Sequence, residues 1–278
     1  MQRCVGVDVP VELIAQRPWT AGAALVADSY GGAPVLMAGD SVHLFTPTGG
    51  LGMNTGIDDA ANLSWKLAAA VQGWGGPRLL ASYEAERRPV AFRNTTAARA
   101  INRLIGNINV PPSIEEDSPA GEAARRETGM YIASYAGAEF DPIGIELGAR
   151  YDSSPIVISD DAPPADSVVQ YFPSSVPGGR APHVWLGDGR GIGDSLFDQL
   201  GVGFTLLRLG PKPPDAAAFA KAAAARKTPF AVLDVPTDDA RDLYGRDLAL
   251  VRPDQHVAWR GNSVPEDVDA VLARVTGF

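Results

Sequence analysis

The sequence predicts an α/β protein in two parts, and three features predict it. A short apolar run at 34–38 ends in Gly39-Asp40 and leads into a glycine-rich loop and a striped, helix-like segment. Turn and linker chemistry then gathers at 150–165, in Ser153-Ser154-Pro155 and Asp160-Asp161-Ala162-Pro163-Pro164. Beyond it the chain alternates as strand, helix, strand, helix, strand, hairpin and helix, the order of a small α/β domain with a mixed sheet. The expected division is 1–34, 35–150 and 151–278.

Composition narrows the function. With 278 residues, 45% of them hydrophobic, the chain can bury a sizeable core and form two domains. A net charge of −9 argues against general binding to nucleic acid or anionic membrane, since both need a basic face. Cys4 is the single cysteine, so a disulfide framework, a CxxC dithiol and a cysteine zinc site are excluded. His43, His183 and His256 show no metal-ligand spacing. There is no apolar run long enough to cross a bilayer and no leader-like start, so a cytoplasmic protein is expected.

The elements follow in order. Residues 9–14 and 23–26 read as strands of a sheet whose other strands lie elsewhere. Residues 34–38 read as a buried strand with a turn at its end. A helix is expected over 57–72, with Ala60, Leu63, Leu67 and Val71 as its apolar stripe, Asp58 and Asp59 in its first turn, and Gly73 as its stop. A second helical region spans 79–105, which Pro89 is expected to break or kink. Residues 107–120 read as a connection and 121–130 as a short helix. In the last part, 183–186, 203–209 and 230–235 read as strands, and 194–200, 216–226 and 265–276 as helices. Residues 248–252 and 256–260 flank Pro253-Asp254-Gln255, which is hairpin chemistry. Asp198, Arg208, Asp234 and Asp254 read as solvated or turn residues rather than a catalytic set.

The chemistry concentrates at 39–56. An Asp at the end of a buried strand accepts hydrogen bonds from ligand hydroxyls and is costly there without a partner. Glycines let the backbone approach a flat ligand, and free amides at the start of the next helix stabilise negative charge. The combination suits a polar cofactor with an electron-rich end. A tight turn with a helix cap has the same local signature.

Three strings go further. Gly39-Asp40-Ser41-Val42-His43, Pro47-Thr48-Gly49-Gly50-Leu51-Gly52-Met53-Asn54 and Asp59-Ala60-Ala61-Asn62-Leu63-Ser64-Trp65-Lys66-Leu67 together closely resemble the second FAD motif of the para-hydroxybenzoate-hydroxylase-like flavoprotein monooxygenases. Tyr83-Glu84-Ala85-Glu86-Arg87-Arg88-Pro89-Val90-Ala91 continues the likeness. Within that family the chain is most similar to phenol-type hydroxylases and the hydroxylases of aromatic polyketides, whose C-terminal domain is thioredoxin-like. The tail strings Arg180-Ala181-Pro182-His183-Val184-Trp185-Leu186 and Arg252-Pro253-Asp254-Gln255-His256-Val257-Ala258-Trp259-Arg260 fit that domain. The family's usual Asp-Ala-Ala-His is Asp40-Ser41-Val42-His43 here, a mild departure.

The resemblance implies a fold and an activity: part of a substrate domain (1–34), the second half of an FAD-binding domain (35–150) and a thioredoxin-like domain (151–278). The activity implied is FAD-dependent hydroxylation of a phenolic or polyketide ring, with NAD(P)H and O2 as co-substrates. Asp40 is expected at the ribityl or adjacent part of FAD and Pro47 near the flavin face beside substrate. Gly50, Leu51, Gly52, Met53 and Asn54 are expected at the pyrimidine edge. His43 is expected to be structural. Trp19 is a candidate for the aromatic pocket, although a packing tryptophan is the simpler reading. The family's opening Gly-x-Gly-x-x-Gly unit and its middle Asp-Gly motif are absent from this sequence. Gly187-Asp188-Gly189-Arg190-Gly191-Ile192-Gly193 has the wrong spacing and reads as a surface turn. Two expectations follow: the C-terminal part of a hydroxylase completed by a missing N-terminal half or by self-association as a homodimer, or an inactive remnant serving as a binding or interaction protein. An exposed apolar surface where the missing half would dock is expected for either. With no cysteine beyond Cys4, the thioredoxin-like domain is expected to be a structural or dimer-supporting module.

Overall fold

The computed structural model describes residues 6–18, 23–188 and 191–278. Its first part has short ribbons: β1 (Leu25–Val26) pairs antiparallel with β4 (His43–Leu44), and β2 (Gly31–Gly32) with β3 (Val35–Leu36). Two strand expectations fail here. Residues 9–14 are irregular and, beyond Val9, exposed, because no described strand pairs with them. The run at 34–38 forms a strand only at Val35–Leu36, and Val35 is 66% exposed, since Gly31 and Gly32 offer it no side chains to pack against.

Two long helices follow, α1 (Leu51–Gln72) and α2 (Pro77–Gly106). α1 begins within the glycine-rich loop rather than near Ile57. Gly50, at φ 65°, is the turn that admits it. Asp58 and Asp59 therefore lie in the helix interior, not its first turn. The expected apolar stripe is also misplaced: Leu67 and Val71 are exposed, whereas the buried face carries Thr55, Asp59, Asn62 and Lys66 beside Leu63 and Ala69. Polar partners on α2 make that burial tolerable. Gly73 ends α1 in the left-handed conformation, as expected. Pro89 does not break α2; its ring is on the exposed face, where water can satisfy the carbonyl it releases. α3 (Pro119–Phe140) is capped by Ser118 and outruns the expected 121–130, and α4 (Ile143–Leu147) follows it.

The last part comprises α5 (Leu196–Gln199), β5 (Phe204–Leu209), α6 (Ala217–Ala225), β6 (Phe230–Val235), α7 (Asp238–Tyr244), β7 (Leu248–Val251), β8 (Val257–Gly261) and α8 (Val268–Val275). The sheet order is β6-β5-β7-β8, with β5 and β6 parallel and the other pairs antiparallel. A parallel βαβ unit followed by a hairpin and a helix is the thioredoxin-like arrangement expected. Residues 183–186 are not a strand; Trp185 makes one isolated bridge to Ser195. α7 is the unexpected helix: Pro236-Thr237-Asp238-Asp239 looks like a turn in sequence, but the Thr237 hydroxyl caps it.

The two parts share a core. Trp65 and Ala69 of α1, with Trp74 and Leu79 beyond it, pack with Phe204, Leu206, Leu250 and Leu272. Trp65 and Trp74 stack at 6.3 Å, and both meet Phe204 edge-on. The chain's end closes the seam: the Gly76 amide donates to the Thr276 carbonyl at 2.7 Å and Arg78 N–H to that of Gly277 at 3.0 Å. Among the described residues, no helix is long and apolar enough to cross a membrane.

Candidate functional site

The site is built on the start of α1. Gly49 (φ 71°) and Gly50 (φ 65°) turn the chain so that α1 begins with no side-chain cap on its first amides. The Asn54 amide instead donates to the Gly50 carbonyl at 2.8 Å. Beside this end, Ala38, Gly39, Asp40, Gly52, Met53 and Gly56 line an open groove. A side chain at its glycines would be crowded: a Cβ on Gly56 would lie 3.2 Å from the Gly39 Cα, and one on Gly52 would lie 3.3 Å from Phe45 Cβ.

Asp40 differs from its expected setting. It stands in a 3-10 turn (Gly39–Ser41) and is exposed, because the strand before it is not buried. Its carboxylate is thus accessible to a ligand and costs folding no desolvation. The buried acid is Asp59, which lies at 0% exposure. It accepts hydrogen bonds from the Gly39 amide at 3.1 Å, His43 Nε2–H at 2.7 Å and Arg87 Nε–H at 2.8 Å. Burial works against its charge, but His43 and Arg87 overcome that and hold its pKa below the usual carboxylate range. Asp59 therefore clamps the turn that presents Asp40. Arg87 also donates to the Thr55 carbonyl at 3.1 Å and to the Tyr151 hydroxyl at 3.1 Å.

A second buried cluster lies further along the helices. Glu86 accepts from Lys66 Nζ at 2.6 Å, Asn62 Nδ2 at 2.7 Å, the Ser154 hydroxyl, and Arg252 at 2.7 and 2.8 Å. Burial opposes its charge, yet Arg252 and Lys66 keep its pKa far below the ordinary value. Arg252 also donates to Asp254 at 2.6 Å, which in turn accepts from Trp65 Nε1 and Asn62 Nδ2, both at 3.1 Å. Asp254 is expected to be solvated in a hairpin turn, but its side chain is 3% exposed because this hairpin docks onto α1.

His256 sits at the edge of this cluster, stacked on Tyr151 at 4.1 Å, with Nδ1–H on the Asp254 carbonyl. Burial, partly opposed by Asp254, pushes its pKa down to about 4. The unfolded chain therefore takes up this proton first, and the protein loses stability as pH falls from the unfolded value near 6.5 to about 4. The expected loss is about 3 kcal/mol. Urea midpoints from pH 7 to pH 4 measure it, and in His256→Asn that part of the slope is expected to vanish.

The sequence candidates divide in space. Asp40, Gly52 and Met53 share the groove, whereas Leu51 and Asn54 line a neighbouring cavity with Gly49, Thr55, Asp58 and Asn94. Gly50 is the hinge between loop and helix, and Pro47 is exposed on the loop outside both. Trp19 lies outside the described residues. Asp59, Lys66, Glu86, Arg87 and Arg252 were not singled out from sequence. For Asp59 and Lys66 the signal was present in the spacing of Thr55, Asp59, Asn62 and Lys66, which puts polar groups on one helical face.

Comparison with known proteins gives the same fold and cofactor class. The family model described as "FAD binding domain" matches residues 2–98, and "Aromatic-ring hydroxylase, C-terminal" matches 174–278. The chain is 35% identical to a 4-methyl-5-nitrocatechol 5-monooxygenase of Burkholderia sp, over 98% of this chain and 48% of that protein. It is 35% identical to a putative polyketide hydroxylase of Streptomyces halstedii, over 99% of this chain and 49% of that protein. The solved rebeccamycin biosynthetic enzyme RebC with reduced flavin superposes with a TM-score of 0.80 at 40% identity, covering 91% of this chain and 47% of that one. The chain spans about half the length of the curated relatives it matches. The two family models, the relatives and the fold together make the chain similar to the C-terminal half of the FAD-dependent aromatic-ring hydroxylases.

Proposed function

We propose that this chain supplies the flavin-edge half of the site in an FAD-dependent monooxygenase that hydroxylates a phenolic or aromatic polyketide ring, with NAD(P)H and O2 as co-substrates. The observation that carries this is the uncapped start of α1 beside a glycine-walled groove with a free Asp40 carboxylate. The residues fit the cofactor. The groove is shaped by glycines that a Cβ would crowd, and the Leu51, Gly52 and Met53 amides stand at a positive helix end. When bound, FAD would supply the redox chemistry, which side chains lack.

In this reading each residue has a task of its own. Asp40 accepts hydrogen bonds from the ribityl hydroxyls. The α1 amides stabilise negative charge at the pyrimidine edge, with Gly50, Leu51, Gly52, Met53 and Asn54 shaping that contact. Pro47 borders the substrate side, with Trp19 assigned to the aromatic pocket. His43 holds the turn through Asp59. The division at 34–35 and 150–151 into part of a substrate domain, the later FAD-domain segment and the C-terminal domain belongs to the same proposal, as does a cytoplasmic location. The exposed stripe of Met53, Ile57, Leu67 and Val71 is where the rest of the FAD-binding domain packs, in a longer chain or across a homodimer.

FAD titration of the purified chain, followed by flavin absorbance and fluorescence, tests the reading. Saturable binding is expected in the wild type, and Asp40→Ala is expected to weaken it about tenfold, the value of a hydrogen bond to a charged group. Equal affinity in the two proteins would remove Asp40 from the site.

A further inference from the structure

The C-terminal hairpin reaches across the molecule and holds the flavin helix at three points. Arg252, just past β7, forks onto Glu86 of α2, and Glu86 also holds Lys66 and Asn62 of α1. Asp254, in the hairpin turn, takes the indole N–H of Trp65 and a second proton of Asn62. The guanidinium of Arg252 also lies 5.2 Å from the Trp65 ring centre. Lys66, Glu86 and Arg252 have fully buried side chains, and that of Asp254 is 3% exposed.

A buried ionic cluster is an inefficient source of stability, because apolar side chains of the same volume do as well or better. What it provides is register. Apolar surfaces tolerate a slide of an ångström, whereas the same slide here would leave a buried charge without its partner. Asn62, Trp65 and Lys66 lie on α1 itself, and Asn62 is roughly 16 Å along the helix from Leu51 at 1.5 Å per residue. A rigid helix pinned at these residues has its rotation and height fixed at its other end as well.

We propose that Arg252 and Asp254 are positioning residues for the flavin loop. They act through Glu86, Lys66, Asn62 and Trp65 to set where the first turn of α1 stands. The C-terminal domain then serves the cofactor site by mechanical alignment and takes no part in redox chemistry. The assignment of that first turn to flavin rests on the function proposed above.

Arg252→Met tests this by two measurements on the same protein. The first is backbone hydrogen exchange. Protection of the amides at 55–61 is expected to fall tenfold or more, while the amides of β5 and β6 keep theirs. The second is the FAD titration, in which Kd is expected to rise at least tenfold and Arg252→Lys to recover part of the loss. A loss of protection spread evenly over both parts would overturn the proposal, as the cluster would then be a general stabiliser. Unchanged exchange at 55–61 would overturn it too. If the wild-type chain takes up no FAD, the flavin reading fails, and the exchange comparison still decides whether the hairpin holds the helix. Should Arg252→Met not fold, Trp65→Phe removes the indole N–H with its five-membered ring and keeps a six-membered aromatic ring in the core; a roughly threefold loss confined to 55–61 is expected there, and its absence would count against the proposal.

Discussion

Glu86→Gln is expected to destabilise the protein by about 3–5 kcal/mol, the usual cost of breaking a buried ion pair from one side. The substitution keeps the shape and removes the charge that Lys66 and Arg252 both face. Burial, opposed by Glu86, already pulls the Lys66 pKa down to about 8. Without the carboxylate, Lys66 is expected to be neutral in the folded state. A melting-temperature drop of roughly 10 °C corresponds to this loss. Adding Lys66→Met is expected to recover part of it, because the orphaned amine is gone. A melting temperature within a degree or two of wild type would show that the cluster is not paired as described. The pH dependence has a definite sign. Glu86 has a depressed pKa in the folded state, so its contribution is complete above its ordinary value of 4.5 and is lost as pH falls below that. The Glu86→Gln variant is expected to lose that part of the acid limb.

Asp59→Asn is expected to act on stability and on ligand binding together. Arg87 keeps its hydrogen bonds to Thr55 and Tyr151, but its remaining carboxylate is that of the half-exposed Asp58 at 3.8 Å, so a loss of about 3 kcal/mol is expected. The Gly39 amide and His43 then share a neutral acceptor, and the turn bearing Asp40 loosens. FAD affinity is expected to fall more than tenfold, although Asp59 lines neither of the two cavities at the start of α1. Urea unfolding reads the first effect and flavin titration the second. A folded Asp59→Asn protein with wild-type FAD affinity would separate the clamp from the site and remove Asp59 from the positioning scheme.

The glycines of the loop were legible because their constraint is local. A positive φ at Gly49, Gly50 and Gly73 needs no distant partner, so turn and helix stop follow from the residues themselves. The β5, β6, β7 and β8 strands and the α6 helix were legible because each is a short, mainly apolar run between turn-forming residues. The buried face of α1 was misread for the opposite reason. Ala60, Leu67 and Val71 look like a core stripe at helical spacing, yet Leu67 and Val71 face out and Asp59, Asn62 and Lys66 face in.

By itself, then, the sequence determined the two-part α/β architecture, the glycine-rich entry to α1 and the family that loop resembles. Each of these depends on neighbouring residues and on the intrinsic freedom of glycine or the period of a strand or helix. Only the tertiary structure decided that Asp40 is exposed, that Asp59 clamps the turn, and that Asp254 is buried against Trp65, 189 residues away in the chain. A charge can leave water only where an opposite charge or a hydrogen-bond donor meets it, and that meeting is fixed by how α1, α2 and the C-terminal hairpin pack together.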